Sequence, residues 1–510
     1  MALATGKSER LAASDAYAEI AETIFLNPGS YINSLDWAPA PSDATPHPEY
    51  LAIATSLTSA PGQIPRRHLG ARSDAPGAIQ LWSLASGQCR LEYKICIPHG
   101  EVEQLQWSPC GYAPDAASEG TSSIVASPEA SRLGILACIQ SNRRLAVYAP
   151  PKPSQIATPS GDEPPRIQLE PLLSIGLPGS GLQPTCLDWG GPDILATGCV
   201  NGSVLVWHVS HLFERARSNG VKTALPRPIH CLEACDSSIT SISFLQVPPR
   251  PPHNSDETSS ESSLGFDHDG LPHLLMVSSL DGSQKVLDLN DTTTLHGEVT
   301  RQREPYYASD FIPFLSSWIS ERGSDNSVRL ISARPDSYLR STMVGSHDGR
   351  CLSVSASPFH PLVASGGADG AVKIFNVLHM LTKSGERIAE PVYRLDIHRT
   401  EGTLRFVERP KPEKITALNV RSRRAVGMGG VKVEGGGGGG GGAERSDGEG
   451  EEGGTTSTAA QANTVWHPSV SVVKVKWCPN VQGPLLLASA TAAGIVRIDN
   501  VASRWQSAAS

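Results

Sequence analysis

One short pattern recurs along the chain, and it constrains the fold more than any other feature. Each copy has an alternating strand that ends in an aromatic residue, a second strand that ends in small residues, and a third strand after Asp-Gly or Asn-Gly. The clearest copy reads PTCLDWG, DILATGC and NGSVLVWHV between Pro184 and Val209. A unit of this kind cannot bury both faces of its sheet alone, so the copies must pack on one another.

Seven copies are predicted, and most of them leave room for a fourth strand in the linking sequence, such as CRLEYKI after Trp82 or PVYRLDI after Val377. They begin at Tyr31, His99, Pro184, Ser237, Tyr306, His347 and Ser471. The fifth copy is degenerate and shows only YYASDFIPF and SVRLIS. Four-stranded antiparallel units repeated in this way close into a disc. The predicted fold is therefore all-β, a single seven-bladed WD40-type β-propeller with disordered loop insertions.

The spacing of the copies predicts the organisation of the chain. An N-terminal segment, 1–29, contains Ile24, Phe25 and Leu26, which could form a strand that closes the ring against the last blade. Blades 1 to 6 occupy 30–398, a Gly-rich acidic insert occupies 399–468, the last blade occupies 469–502, and 503–510 form a tail. The insert contains eight consecutive glycines followed by acidic residues, a composition that cannot bury a core and predicts disorder.

Composition excludes several classes of function. The net charge of -8 and the pI near 6.0 give no global electrostatic reason to bind nucleic acid or an anionic membrane. The ten cysteines include no C-x2-C pair, which favours reduced thiols over a zinc site. No signal peptide and no apolar stretch of about 18 residues occurs, so we expect a soluble intracellular protein.

Some conspicuous residues are predicted to be structural because they recur with the repeat. Four tryptophans stand at the end of the first strand, which favours packing between blades over an aromatic cage: Trp37, Trp107, Trp189 and Trp477. Trp82 and Trp207 occupy the third strand, where a regular repeat has Trp-Asp. Asp281-Gly282 and Asp369-Gly370 supply the positive φ that tight hairpin turns need.

The sequence contains no motif for catalysis, for a cofactor or for a metal: a nucleophile elbow, H-E-x-x-H and a P-loop are all absent. We expect His99, Asp188 and His347 to form hydrogen bonds inside blades. Weak candidates for partner contact are Trp318 and Trp505, which lie outside the tryptophan pattern. Another is the basic cluster of Arg421, Arg423 and Arg424. That cluster is either a nuclear-import or nucleic-acid contact, or an ordinary solvated loop.

The amino-acid sequences of the blades, and their order along the chain, resemble those of one group of WD40 proteins. The resemblance runs through GAIQLWSL, HGEVEQLQWSPCG, LGILACIQSNRRLAVYAPP and PTCLDWGGPDILATGCVNGSVLVWHV, then through PYYASDFIPFLSSWISERGSDNSVRLISAR and SPFHPLVASGGADGAVKIFNV. These segments look like the WD40 subunit of general transcription factor IIIC, which serves RNA polymerase III. The resemblance covers about Ser30 to Val501.

The resemblance implies an architectural role in the nucleus. Such a subunit joins other factor IIIC subunits in the module that recognises the B-box promoter of tRNA genes, with DNA contacted only indirectly or weakly, and without a membrane or a small-molecule substrate. Relatives often carry a long basic N-terminal extension, whereas about 30 residues precede the first blade here. The alternatives are another WD40 interaction platform, such as a ubiquitin-ligase substrate receptor or chromatin adaptor, and a propeller enzyme with its site at the channel mouth.

Overall fold

A computed structural model describes most of the chain as seven antiparallel sheets arranged as the blades of a propeller. The described residues are 8–11, 23–40, 47–57, 72–109, 132–157, 163–177, 182–213, 227–246, 273–292, 295–302, 304–378, 387–397, 403–408, 410, 413–415 and 466–502. The predicted all-β, seven-bladed fold is confirmed. Within these residues, no helix combines the length and the apolar composition that crossing a bilayer requires.

The strands follow the chain in blade order, apart from two N-terminal strands that belong to the last blade. These two are β1 (Ser8–Leu11) and β2 (Thr23–Leu26). Blade 1 contains β3 (Ile32–Trp37), β4 (Glu49–Ser56), β5 (Gly77–Ala85) and β6 (Gln88–Ile97). Blade 2 contains β7 (Val102–Trp107), β8 (Leu136–Gln140), β9 (Arg144–Tyr148) and β11 (Leu173–Gly176), while β10 (Arg166–Gln168) pairs in parallel with β6.

Blade 3 contains β12 (Pro184–Gly190), β13 (Ile194–Cys199), β14 (Ser203–His208) and β15 (His230–Glu233). Blade 4 contains β16 (Ile239–Phe244), β17 (Leu274–Ser279), β18 (Ser283–Asp288) and β19 (Leu295–Arg301). Blade 5 contains β20 (Ser309–Ile312), β21 (Ser317–Arg322), β22 (Ser327–Ser332) and β23 (Ser341–Ser346).

Blade 6 contains β24 (Cys351–Ala356), β25 (Leu362–Gly367), β26 (Ala371–Asn376) and β27 (Arg387–Ile397), with β28 (Leu404–Glu408) and β29 (Glu413–Ile415) outside β27. Blade 7 contains β30 (Val472–Trp477), β31 (Leu486–Thr491) and β32 (Val496–Asn500). Short 3-10 turns occupy Pro153–Gln155, Pro313–Leu315, Gly323–Asp325, Pro335–Ser337 and Pro468–Val470, and residues 209–213 are helical.

Both ends of the chain build blade 7. Strand β2 pairs antiparallel with β32, with Ile24 opposite Ile498 and Phe25 opposite Arg497. Strand β1 then pairs with the other edge of β2. Because the first and last parts of the chain share one sheet, the ring closes through backbone hydrogen bonds, and the edge of β32 is covered.

The apolar core is divided among the interfaces between neighbouring blades. One cluster joins Leu35 and Trp82 of blade 1 to Ala488 of blade 7, and another joins Leu275 of blade 4 to Val204 of blade 3. Each blade therefore buries its two faces against two neighbours, as the repeat pattern requires. This arrangement leaves the edge of each innermost strand free to line a central channel.

The fifth blade contains a strand that the sequence pattern does not reveal. Strand β21 follows Ser316, which adopts φ 45, and it carries the polar residues Ser320 and Glu321 at positions that are fully buried. The pattern of this strand is therefore not the alternation of apolar and polar residues that predicts a half-buried strand.

The range of the predicted disordered insert, 399–468, contains a described strand near its start. Strand β28 lies inside that range and pairs antiparallel with β27, with Leu395 opposite Phe406. Phe406 packs against Phe25 and Tyr393, with distances between ring centroids of 5.0 Å and 5.3 Å, respectively. Phe406 thus anchors residues 403–408 to the fold, while the polyglycine segment lies outside the described residues.

Candidate functional site

The central channel is the first place to look for function, because all seven innermost strands line it. Its cavity measures about 220 Å³ and is surrounded by polar side chains from every blade. One position is equivalent in all seven blades: it immediately precedes the residue where the first strand has its aromatic or corresponding side chain. The residues at this position are Asp36, Gln106, Asp188, Ser243, Asp310, Ser355 and Lys476. These residues decide whether the channel can bind or react.

Three channel aspartates and one serine accept hydrogen bonds from the next blade. Asp36 Oδ2 accepts from the Trp107 backbone N–H at 2.8 Å. Asp188 Oδ2 accepts from the Phe244 N–H at 2.8 Å, and Asp310 Oδ2 accepts from the Ala356 N–H at 2.9 Å.

Ser355 Oγ accepts in the same way from the Trp477 N–H at 3.1 Å. These four bonds join blades 1 to 2, 3 to 4, 5 to 6 and 6 to 7.

The remaining blade interfaces are bridged by tryptophans that donate in the opposite direction around the ring. Trp37 Nε1 donates to the Lys476 carbonyl at 3.2 Å, joining blade 1 to blade 7. Trp189 Nε1 donates to the Gln106 carbonyl at 3.2 Å, joining blade 3 to blade 2.

Trp318 Nε1 donates to the Ser243 carbonyl at 3.1 Å, joining blade 5 to blade 4. Together with the four bonds to the next blade, these three bonds bridge each of the seven interfaces. We call these seven bonds the interblade ring.

The other tryptophans at the repeat position pack without an acceptor. The Nε1 atoms of Trp107 and Trp477 are buried and make no hydrogen bond. All four repeat tryptophans are at most 3% exposed. The repeat position therefore provides packing in every case and a hydrogen bond only in alternate blades, where the Asp-Trp pair occurs together.

Burial raises the pKa of two channel carboxyl groups, those of Asp36 and Asp188. It raises the pKa of Asp188 to about 6, against the hydrogen bonds from the Phe244 N–H and from Gln106. Burial also raises the pKa of Asp36, although Lys476 Nζ lies 3.7 Å from its Oδ1 and opposes the shift. The channel acids are thus held by backbone donors and a lysine rather than left free for acid-base chemistry.

Blade 6 contains a Ser-His-Asp arrangement. His347 Nδ1 lies 3.0 Å from Asp369 Oδ1, and its Nε2 lies 2.7 Å from Ser365 Oγ. All three side chains are buried, with His347 and Ser365 at 0% exposure. Since no substrate can reach a hydroxyl with no exposed surface, the arrangement holds β25 to the turns on either side of it. Asp369 also accepts from the backbone N–H of Asp348 at 2.8 Å.

Asp188 does not share this role. It faces the channel and bridges two blades, whereas the sequence predicts a hydrogen bond inside one blade. His99 supplies its backbone carbonyl to Asn142 Nδ2 at 3.2 Å.

The third-strand and turn residues lie in structural positions. Trp82 is 0% exposed and its Nε1 donates to Gln80 Oε1 at 3.2 Å, while Trp207 is 1% exposed. Gly282 and Gly370 adopt φ 78 and φ 76, and a Cβ on either would stand 1.9 Å or 2.2 Å from a backbone carbonyl oxygen. Both positions therefore require glycine.

The aspartates that precede these glycines close the same turns. Asp281 Oδ1 accepts from the Ser283 N–H at 2.8 Å, and Asp369 Oδ1 accepts from the Ala371 N–H at 3.2 Å.

Trp318, which the sequence suggests as a candidate for partner contact, is buried in the structure. Its side chain is 0% exposed and packs against Phe311 at 5.5 Å between ring centroids. It lies on the second strand of its blade, directly opposite Phe311, and takes over the hydrogen bond that Trp37 and Trp189 make from the first strand. Trp505, Arg421, Arg423 and Arg424 lie outside the described residues.

Sequence reasoning missed a buried arginine in the last blade. Arg497 has a side chain with 0% exposure, and its Nη2 lies 2.7 Å from Asp499 Oδ1. Its Nη2 also donates to Glu408 Oε2 at 2.9 Å, and its Nη1 pairs with Oε1 of the same residue. Two carboxylates compensate one buried guanidinium, which a buried charge requires.

Three aromatic rings enclose the same guanidinium. Its Cζ lies 4.4 Å from the Tyr393 ring centroid, 5.4 Å from that of Phe25 and 5.6 Å from that of Phe406. A cation over desolvated aromatic faces is stabilised electrostatically. The cluster ties together three distant segments: the N-terminal strand β2, the outer strands of blade 6 and the last strand of blade 7. We call it the arginine clasp.

The described residues offer little for catalysis. No group of three or more His, Cys, Asp or Glu side chains among them is arranged to hold a metal ion. The channel acids serve the interblade ring, and the Ser-His-Asp arrangement is enclosed. The interblade ring instead holds the innermost strands of neighbouring blades together.

The chain is similar to a known repeat family and to a known transcription factor subunit. The family model described as "WD domain, G-beta repeat" matches residues 338–376, from the last strand of blade 5 through β26 of blade 6. The "Transcription factor tau subunit sfc6" of Schizosaccharomyces pombe is 23% identical over 408 residues, which is 78% of this chain and 58% of that protein.

This chain therefore matches somewhat more than half of the length of that relative. A chain in the "Crystal Structure of Mitotic Checkpoint Complex" has a TM-score of 0.47 and 13% identity, with 94% of each chain covered. The WD repeat match and the similarity to the tau subunit confirm the resemblance predicted from the sequence, that of a WD40-repeat subunit of the transcription factor IIIC type.

Proposed function

We propose that this chain is a non-catalytic scaffold subunit of a transcription factor IIIC complex in the nucleus. In this role it joins other subunits of the complex and supports recognition of the B-box promoter in RNA polymerase III transcription of tRNA genes. The observation that carries the proposal is the similarity to a transcription factor tau subunit over 78% of the chain. Similarity over that length includes the diverged blades as well as the generic repeat.

The interblade ring supports a scaffold role. The hydrogen bonds of the interblade ring, with buried tryptophans behind them, join each blade to both of its neighbours and make the described strands a rigid frame. Rigid elements position binding surfaces more accurately than mobile ones do. The acidic net charge of -8 favours protein partners over direct contact with DNA, which would be indirect or weak.

Co-purification tests the proposal most simply. The chain is tagged at its genomic locus, purified from the native cell and analysed by mass spectrometry. We expect the other factor IIIC subunits in stoichiometric amounts. Recovery of a cullin adaptor in their place would refute the proposal and favour a ubiquitin-ligase substrate receptor.

A further inference from the structure

A second cavity, of about 280 Å³, lies between blades 4 and 5, away from the central channel. Strands β18 and β19 form one wall, and β21, β22 and β23 form the other. Its polar lining consists of Gln284, Thr300, Tyr306, Ser320, Glu321, Arg322, Arg329 and Ser341. The volume is below the ~300–1,000 Å³ of sites that hold drug-sized ligands, which suits a single side chain.

Two arginines share the blade 5 wall. Ser320 pairs with Arg329 and Arg322 pairs with Ser327 across β21 and β22, so the two arginines occupy diagonal positions on one face of the sheet. Diagonal neighbours are close enough for long side chains to interact, and like charges there repel. Burial raises the pKa of Tyr306 to about 12, and both guanidinium groups oppose the shift, which places them near one phenol.

The charges of the two arginines are compensated unequally. Arg329 Nη2 lies 3.4 Å from Asp325 Oδ2 and its Nε donates to Ser327 Oγ at 3.1 Å. Arg322 Nε donates to the neutral Gln302 Oε1 at 2.9 Å, and Arg322 makes no ion pair with any residue that the structure describes. The cavity wall thus carries about one positive charge without a counterion.

Glu321 does not supply the missing charge. Glu321 lines the cavity and its carboxyl group is near enough to raise the pKa of Tyr306, but burial raises the pKa of Glu321 itself to about 8, which favours the neutral acid. The residue lies between Ser320 and Arg322 on β21, so its side chain points to the opposite face of the strand. There its Oε1 accepts a hydrogen bond from the Tyr307 N–H at 2.6 Å.

We propose that this cavity binds the carboxylate of a glutamate or aspartate side chain presented by a protein partner. The fork of Arg322 matches a carboxylate in two parallel hydrogen bonds, and the hydroxyls of Tyr306 and Ser341 line the same space. The single uncompensated charge matches a carboxylate better than a phosphate group, which carries about -1.5 to -2 charges. The apolar residues Ile331 and Leu339 provide a wall for the methylene groups of the ligand. This proposal does not depend on the identity of the complex to which the chain belongs.

A blocked tripeptide, acetyl-Gly-Glu-Gly-amide, is the probe for this site. Its binding to the full chain is measured by titration calorimetry and by the rise in melting temperature, at constant ionic strength because exposed charges are screened by salt. We expect saturable binding of the glutamate peptide and no binding of acetyl-Gly-Gln-Gly-amide. Arg322→Gln should weaken binding about tenfold or more, as the loss of a charge-assisted pair does.

Arg90→Gln is the matched control, because it makes the same change at an exposed position of blade 1 and should leave binding unchanged. Arg322→Lys keeps the charge but loses the fork, so it should give an intermediate affinity and separates binding from folding if Arg322→Gln is unstable. Equal binding of the glutamate and glutamine peptides, or equal loss in Arg322→Gln and Arg90→Gln, would overturn the proposal. Tighter binding of inorganic phosphate than of the glutamate peptide would overturn the assignment to carboxylates.

Discussion

Replacing tryptophans of the interblade ring by phenylalanine separates the hydrogen bond from the packing. Trp189 and Trp107 stand at the same repeat position and are 1% and 3% exposed. Trp189 Nε1 donates to the Gln106 carbonyl, whereas Trp107 Nε1 is buried without an acceptor. Trp→Phe removes the same atoms at both positions, so the loss of buried apolar surface is similar and the polar contribution differs.

The magnitude follows from that difference. Trp189→Phe loses a hydrogen bond with a net contribution of about 0.5–1.5 kcal/mol, while Trp107→Phe removes a buried donor whose missing partner costs about 1–3 kcal/mol in the native protein. The two effects add, so we expect Trp189→Phe to lower the free energy of unfolding by about 1.5–4.5 kcal/mol more than Trp107→Phe does. Trp37 and Trp477 form a second matched pair, since both are 1% exposed and only Trp37 has an acceptor.

Urea unfolding of the full chain, followed by far-UV circular dichroism, measures the effect without relying on tryptophan fluorescence. The midpoints are compared at equal slope, so that a change in midpoint reports a change in stability. Equal destabilisation within either pair, or a larger loss in Trp107→Phe than in Trp189→Phe, would refute the assignment of the interblade ring as a stabilising device.

Three further predictions concern buried charges. The pKa of Asp188 is about 6 in the folded protein and lower in the unfolded chain, so folding favours the protonated form. The free energy of unfolding should therefore fall by about 3 kcal/mol as the pH rises from about 4 to 6. Asp188→Asn should not show this fall when urea unfolding is measured across that range. Burial raises the pKa of Glu321 to about 8, so the native chain should also lose stability as the pH rises from about 5 to 8, and Glu321→Gln should become more stable relative to it. A constant difference in melting temperature between the two proteins over that range would contradict this prediction. Arg497→Met leaves the carboxylate of Asp499 buried without its ion-pair partner and should lower the free energy of unfolding by about 3–5 kcal/mol, with faster hydrogen exchange in both β2 and β28. The same change at the exposed Arg405 should alter neither the stability nor the exchange.

Much of the fold could be predicted because its signals are local. Turn pairs such as Asp369-Gly370 and the aromatic ends of the first strands identify a blade from about 40 consecutive residues. Blade 5 was harder to predict because β21 buries the polar residues Ser320 and Glu321, and because its tryptophan lies on the second strand instead of the first. A periodicity search cannot find a strand whose buried positions are polar.

The geometry of the candidate site was harder to predict from the sequence because it depends on contacts between residues that are far apart in the chain. The arginine clasp joins Phe25, Glu408 and Arg497, which are separated by hundreds of residues, and nothing in IVRIDN distinguishes a buried arginine from an exposed one. The interblade ring did leave a signal. Asp-Trp occurs at Asp36 and Asp188, and Asp-Phe at Asp310, always in alternate blades.

Chromatin occupancy tests the proposed function most directly. The tagged chain is cross-linked to chromatin in the native cell, and its enrichment at tRNA genes is compared with that at genes transcribed by RNA polymerase II. A scaffold subunit of factor IIIC should be enriched across the internal promoters of tRNA genes. Absence of enrichment there, in cells where the known factor IIIC subunits are enriched at the same loci, would contradict the proposal.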